Sequence, residues 1–455
     1  MHGITDSTSR FHVLAIAALL LSAAPGCATW TPANAPLAHV NLEEGYRPNN
    51  PENFRESGHV VVTLAFSGGG TRAAAFAYGV MQELRDTEIV VRGKHERMID
   101  EVDTISGVSG GSFPAAYYGL YGDRIYEEFE PQFLKRNVQG ALIGQIFLPR
   151  NFFRLMTPAT SRSELASQYY DKHLFHGATF GDLGAAKGPR IYINATDLSH
   201  GNRFTFGQAQ FDLICSDLDQ FRISRAVASS SAVPGLLSPI TMKNHAGECD
   251  YEASPILEEA LASRESDPRR YRVAKSFDDY GDAKKRPYVH LVDGGISDNL
   301  GLRASLEAGA VVGGFEKLRD FMGIQTPDHV VLIVVNAETD PNADIDSKSK
   351  PPGLSVLMNA VSGGQIRRYN FETLLLAEEA MKSIATQMSQ PGAPVKSHFI
   401  EVSFDSIADP AERSYFKGLP TSFVLKDEEV DKLREIGREL LRDSPAFKKL
   451  LAELR

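Results

Sequence analysis

The sequence predicts an α/β protein, a mainly parallel central sheet flanked by helices. Two observations predict it. Short apolar, β-branched runs alternate with segments of helical spacing, the order that a parallel sheet with crossover helices requires. In two places a strand-like run passes through a glycine-rich turn straight into a helix-like run, at Ser67–Gly70 and at Gly107–Gly111.

The first strand is His59–Phe66 (HVVVTLAF), nearly continuous in apolar residues, as for a strand buried on both faces. Ser67-Gly68-Gly69-Gly70 follows, and Thr71–Arg85 then has helical spacing, with Ala73, Ala74, Ala77, Val80, Met81 and Leu84 on one face. Val102–Ser106, Gly107–Gly111 and Ser112–Leu120 repeat the plan. Further strands are expected at Arg190–Thr196, Tyr288–Val292, His329–Asn336 and Phe399–Phe404. Ala343–Pro352 reads as a loop, and Gly140–Met156 is apolar, aromatic and dotted with Arg150 and Arg154.

The termini read differently from this middle. Val13–Ala24 is apolar but too short for a membrane span, which takes about 20 residues, and Pro25-Gly26-Cys27 follows it. Residues 1–27 therefore read as a signal peptide with a lipoprotein-like cleavage site, Cys27 being the lipidated residue; plain secretion is the alternative. Residues 28–58, rich in Pro and Asn, read as a tether. The main domain is expected over 59–426, and 427–455 as an amphipathic helix packed on it, with Val430, Leu433, Ile436, Leu440 and Leu441 at helical spacing. Export would place the protein in the cell envelope, in periplasm or outer membrane. There Cys215 and Cys249 could form one disulfide or stay as two buried thiols.

Of the 455 residues 42% are hydrophobic, enough for a large core, and the formal net charge is −10. That charge excludes nucleic acid as a partner, because phosphate binding needs a clustered positive field.

The residues that carry chemistry sit in the turns. Gly107-Val108-Ser109-Gly110-Gly111 is the one G-x-S-x-G of the chain. A serine at such a turn is exposed at the sheet edge, and the helix that follows directs its positive end at developing negative charge. Ser67-Gly68-Gly69-Gly70-Thr71-Arg72 leaves backbone N–H groups uncovered, the architecture of an oxyanion hole. Gly68, Gly70 and Ala73 also fit a dinucleotide fingerprint with Glu88 downstream, a weaker reading for an exported protein. Asp293-Gly294-Gly295 follows the strand YVHLV, which puts a carboxylate at a strand end where parallel sheets bind ligands; Asp-Gly is also a common turn pair.

As a set, Gly68–Arg72, the Ser109 turn, Asp293-Gly294-Gly295 and Ala228–Pro239 (ASSSAVPGLLSP) resemble, in their order, the patatin-like phospholipase family. The resemblance covers roughly Val60–Leu302. It implies a three-layer α/β/α fold and a Ser-Asp dyad without histidine. It implies hydrolysis of acyl esters in glycerophospholipids or lysophospholipids at a membrane, with no cofactor and no metal. Carried over, Ser109 is the nucleophile, Asp293 the base, and Gly68, Gly69, Gly70 and Arg72 form the oxyanion site. Beside these turns Ala73 stands where the family often has a glycine, and Leu300-Gly301 follow Asn299 where it often has a proline.

Two other readings compete. A Ser-His-Asp esterase would need one of the 12 histidines. His290 is nearest in sequence to Asp293, but on a strand the two face opposite sides, while His173 and His176 read as surface residues. A lipid-binding envelope lipoprotein with an idle dyad would instead use Gly140–Met156 to hold an acyl chain or a partner. For the hydrolase, that segment is either a lid whose Phe147, Phe152 and Phe153 enter a lipid surface or an ordinary buried insertion.

Overall fold

The computed structural model describes residues 34–55, 58–157, 160–341, 345–347 and 349–454. The apolar run at Val13–Ala24 and Cys27 lie outside them, as does part of Ala343–Pro352.

Eight strands form the central sheet: β1 Val60–Phe66, β2 Val102–Val108, β3 Arg190–Asp197, β4 Arg203–Phe206, β5 Ile240–Lys243, β6 Tyr288–Asp293, β7 His329–Asn336 and β8 Lys396–Ser403. Their order is β8-β7-β1-β2-β3-β6-β5, with β4 on β3. From β8 to β3 every pairing is parallel, whereas β6 runs antiparallel to β3 and to β5. The sheet is thus mixed and mostly parallel. The expectation that Asp293 ends a parallel strand is corrected: β6 enters from the opposite direction, and its last residue pairs with Ala195 of β3.

The helices that matter below are α1 Gly70–Asp86, α2 Ser112–Tyr121, α3 Val138–Phe147, α4 Pro149–Leu155, α5 Ile223–Ser230, α6 Arg303–Val312, α7 Phe315–Phe321, α8 Leu354–Met388, α9 Asp427–Asp443 and α10 Pro445–Glu453. Helix α1 is buried without break from Gly70 to Leu84, not along one stripe, because it runs between the sheet and α9. Two glycines permit that approach: a Cβ on Gly79 would lie 2.1 Å from Arg434 O, and one on Gly437 2.6 Å from Phe76 O. Val430, Leu433, Ile436 and Leu441 of α9 face inward as their spacing predicts.

The two faces of the sheet are filled differently. Val62, Leu64 and Phe66, with Ile333 and Val335 beside them, share one large core with α1, α9 and α10. On the other face Ala65, Leu332 and Val334 pack against Leu302, Ala377, Met381 and Ile384, a smaller cluster under α6 and α8. That face also carries a cavity of about 490 Å³, lined by Thr63, Ala65, Leu302, Phe315, Met381 and Met388 among others.

The stretch expected to be a tether is laid onto the domain from Asn34 to Phe54. Tyr46 and Phe54 are buried in the main core, Arg47 pairs with buried Asp212 at 2.5 Å, and Ala35–Pro36 pairs with Ser216–Asp217. Its anchors are single aromatics and one arginine, which make no periodic pattern, so a composition rich in Pro and Asn read as a linker. Nearby, Cys215 and Cys249 are joined by a disulfide, Cα–Cα 5.6 Å.

Candidate active site

Strand β2 runs directly into the Ser109 turn, and the turn forces an unusual backbone: Ser109 has φ +49°, the left-handed region that non-glycine residues rarely occupy. Its N–H donates to Ser230 Oγ at 2.8 Å, its carbonyl accepts from Ser112 Oγ at 2.6 Å, and Ser230 Oγ donates to Asn194 O at 2.6 Å. These bonds hold the serine in that conformation. The flanking glycines are required by space: a Cβ on Gly110 would stand 2.1 Å from Gly70 O, and one on Gly107 2.7 Å from Gly111 O. The two glycine turns therefore touch backbone to backbone.

Ser109 Oγ donates to Asp293 Oδ2 at 2.8 Å. The other carboxylate oxygen, Oδ1, accepts the Gly295 N–H at 2.8 Å. Both residues are buried, which corrects the expectation of an exposed serine: the neighbouring glycine turn and Asp293 cover it. Burial pushes the Asp293 carboxyl up to about 6, against the opposing pull of the Gly295 N–H and the Ser109 hydroxyl. Asp293 is fixed from behind by its own N–H to Ala232 O at 3.0 Å, and Gly294 N–H donates to Ser230 O at 3.0 Å. The Ala228–Pro239 block, noted in the sequence only as a pattern, thus supports nucleophile and carboxylate together.

The Gly68–Arg72 turn lies beside the serine: a Cβ on Gly68 would be 3.3 Å from Ser109 Cβ. Gly69 and Gly70 take φ +141° and +62°, so only glycine fits them without strain. Gly68 N–H is already committed to Asn299 O at 2.9 Å, and Thr71 N–H to Ser422 O at 2.8 Å. The N–H groups of Gly69, Gly70 and Gly110 find no acceptor among the described residues. They stand at the amino end of α1 and just after the serine, where a helix leaves its first amides free.

Arg72 sits differently from the expected oxyanion donor. It is buried, and its Nε and Nη1 donate to Ala337 O at 3.1 Å and Leu419 O at 2.8 Å. Burial lowers its pKa to about 10, and its Nη2 packs against Gly69. It braces the turn. The sequence shows Asn299 only as a neighbour of the family's pattern, not as a side chain whose Oδ1 lies against Gly68 and Gly295, and gives no sign of the Leu419–Phe423 segment that clamps the turn. Neither carries a motif; they act through backbone carbonyls and position.

Among the described residues no histidine bonds to Ser109 or Asp293. His290 is turned to Thr241 Oγ1, 2.9 Å from its Nδ1. His173 packs on Tyr169.

A left-handed serine between a strand and a helix, bonded to a buried carboxylate beside free amides, is the arrangement of a serine hydrolase site. The model of the family described as patatin-like phospholipase matches residues 64–306, more than half of the chain, and the chain belongs to that family. No curated protein matches it. Among solved structures it is similar to human GIVD cytosolic phospholipase A2, 13% identical over 87% of this chain and 62% of that one, with a TM-score of 0.45. It is also similar to the same enzyme in complex with methyl gamma-linolenyl fluorophosphonate, 13% identical over 89% and 60%, with a TM-score of 0.38. The chain thus spans about 62% of the length of the first of these.

Proposed function

We propose that the protein is a phospholipase A-type hydrolase that cleaves acyl esters of glycerophospholipids or lysophospholipids through a Ser109–Asp293 dyad. The observation that carries this reading is the direct 2.8 Å bond from Ser109 Oγ to Asp293 Oδ2, with the carboxyl raised by burial. An ordinary aspartate is too weak a base for a hydroxyl, and desolvation moves its basicity toward the working pH. As Oγ attacks the ester carbonyl, its proton passes to Asp293 Oδ2. The oxyanion then lies against the free amides of Gly69, Gly70 and Gly110 at the positive end of α1. Collapse breaks the ester C–O bond, and the leaving alcohol takes the proton from Asp293. Water, deprotonated by the same carboxylate, then attacks the acyl-serine, releases the fatty acid and restores the Ser109 hydroxyl.

The membrane side of the reading rests on α3 and α4. Phe147, Leu148, Phe152, Phe153 and Met156 are exposed together with Arg150, a combination suited to an anionic lipid surface. Gln139 N–H donates to Phe423 O at 3.1 Å, and the adjacent Ser422 O holds Thr71, so the base of this pair is tied to the glycine turn. Among the described residues no helix is long and apolar enough to cross a membrane. Anchoring through Cys27 after export is the means we propose, and the disulfide is in keeping with an oxidising compartment.

The test is release of fatty acid from mixed phospholipid vesicles by the mature protein, beside Ser109→Ala and Asp293→Asn. Loss of at least about 10³-fold in kcat is expected in both, with folding intact. A parent inert toward phospholipids, lysolipids and simple esters would instead indicate a lipid-binding envelope protein.

A further inference from the structure

A second group of reactive side chains lies at the opposite edge of the sheet. Strands β7 and β8 are parallel neighbours in a register that pairs His329 with Lys396 and Val331 with His398. His329 and His398 therefore point to the same face, the one covered by α10. Both are buried, a rare place for imidazole pairs, and His329 Nδ1 lies 3.0 Å from His398 Nε2. The last residue of α10, Glu453, reaches down onto them with Oε2 3.9 Å from His398 Nε2. That oxygen is buried, and it faces the Lys396 ammonium at 3.1 Å rather than an imidazole N–H.

We propose that His329, His398 and Glu453 bind one divalent transition-metal ion, of which zinc suits the donors best. The three ligand atoms all lie within 4.8 Å of one another. Ligands about 2.0–2.1 Å from a tetrahedral zinc ion stand about 3.4 Å apart, so the histidines need little movement and the carboxylate a shift on the order of 1 Å. Two imidazoles and a carboxylate are a borderline donor set that favours zinc over magnesium or calcium. Water completes the fourth position. A plain His–His hydrogen bond accounts for the 3.0 Å contact alone; in its terms Glu453 Oε2 is held by Lys396 and not by the imidazoles.

The same geometry names a competitor. Lys396 Nζ stands 3.1 Å from Glu453 Oε2, on a side chain that is 51% exposed and free to swing outward. In the metal-free protein it neutralises the carboxylate, and the ion must displace it. The site lies at the amino-terminal ends of β7 and β8, while Ser109 follows the carboxy-terminal end of parallel β2. It is therefore remote from ester chemistry. Its ligands come from two neighbouring strands and the C-terminal helix, so the ion would pin α10 to the sheet.

The experiment is a titration of tag-free, chelator-stripped protein with zinc against a chromophoric chelator, with thermal unfolding measured alongside. One ion per chain is expected, with a rise in Tm on zinc addition. His398→Ala and Glu453→Gln should each weaken binding beyond the ~10–100-fold typical of losing an outer partner, and abolish the Tm rise. Lys396→Ala should tighten binding. Glu453→Gln changes a half-buried residue near the chain end, so it tests the site even where His398→Ala fails to fold. Absence of saturable one-to-one binding, or binding that His398→Ala and Glu453→Gln leave unchanged, would overturn the proposal.

Discussion

The face of the sheet under α1 and α9 and the face under α6, α7 and α8 are built to different tolerances. On the first, helix meets helix at backbone distance through Gly79 and Gly437, and the strand residues beneath are sealed. On the second, aliphatic and aromatic side chains with a few alanines and methionines surround a cavity of about 490 Å³. The difference teaches where precision is needed. The Ser67–Gly70 turn, proposed above as part of the oxyanion site, runs from β1 into α1, so slack under α1 would reach its amides. Slack under α8 meets the Ser109–Asp293 pair through the Gly295–Asp298 turn that α8 packs against.

Substitutions can break or sharpen this contrast. The largest effect is expected from Gly110→Ala, whose Cβ would collide with Gly70 O at 2.1 Å. Separating the turns should cost at least about 100-fold in kcat, measured on a soluble ester. Next comes Gly79→Ala, which meets Arg434 O at 2.1 Å and should destabilise by about 3 kcal/mol in urea unfolding. Its counterpart on the loose face, Ala380→Leu, extends into the cavity and should change stability by less than about 1 kcal/mol, in either direction. Equal costs for Gly79→Ala and Ala380→Leu would erase the distinction between the faces.

The pH dependence probes the point between them. In the proposed mechanism Asp293 acts ionised, so kcat/KM should rise about tenfold per pH unit below about 6 and level off above it. Stability runs the other way. A carboxyl raised above its unfolded value of 3.8 favours the folded state while protonated, and that contribution is lost as pH climbs through about 6. Asp293→Asn should therefore be inactive yet more stable at neutral pH, by an amount on the order of 2–3 kcal/mol. A variant no more stable than the parent would mean the carboxyl is not raised. The smallest expected effect is at the surface: Phe152→Ser with Phe153→Ser should weaken vesicle binding several-fold and leave hydrolysis of a soluble ester unchanged. Parallel loss of both would assign those rings to the fold.

Much of this was legible in the sequence because its signals are local. The turns at Ser67–Gly70 and Gly107–Gly111 announce themselves through glycines that backbone geometry demands, Ser109 follows from the second, and Asp293 from the Asp-Gly-Gly that ends a third strand. The direction of β6 was not legible, since YVHLV reads alike whichever way the strand runs, and the convergence of Asp293 on Ser109 came about through an antiparallel strand. Arg72 as a brace, Ser230 as a support and Leu419–Phe423 as a clamp rest on contacts between distant segments made through carbonyls that every residue owns. Burial of Tyr46 and Arg47 was hidden for a similar reason, each being an isolated anchor.

The docking of Asn34–Phe54 also sets the reach of the enzyme. With an acyl anchor at Cys27, as proposed above, the anchor stands seven residues from the docked Asn34, not the whole stretch to residue 58. At about 3.3–3.6 Å per residue this link extends no further than roughly 25 Å, less than the thickness of a bilayer with its headgroups. An enzyme anchored in the proposed way would work in cis, on the lipids of the leaflet that holds it.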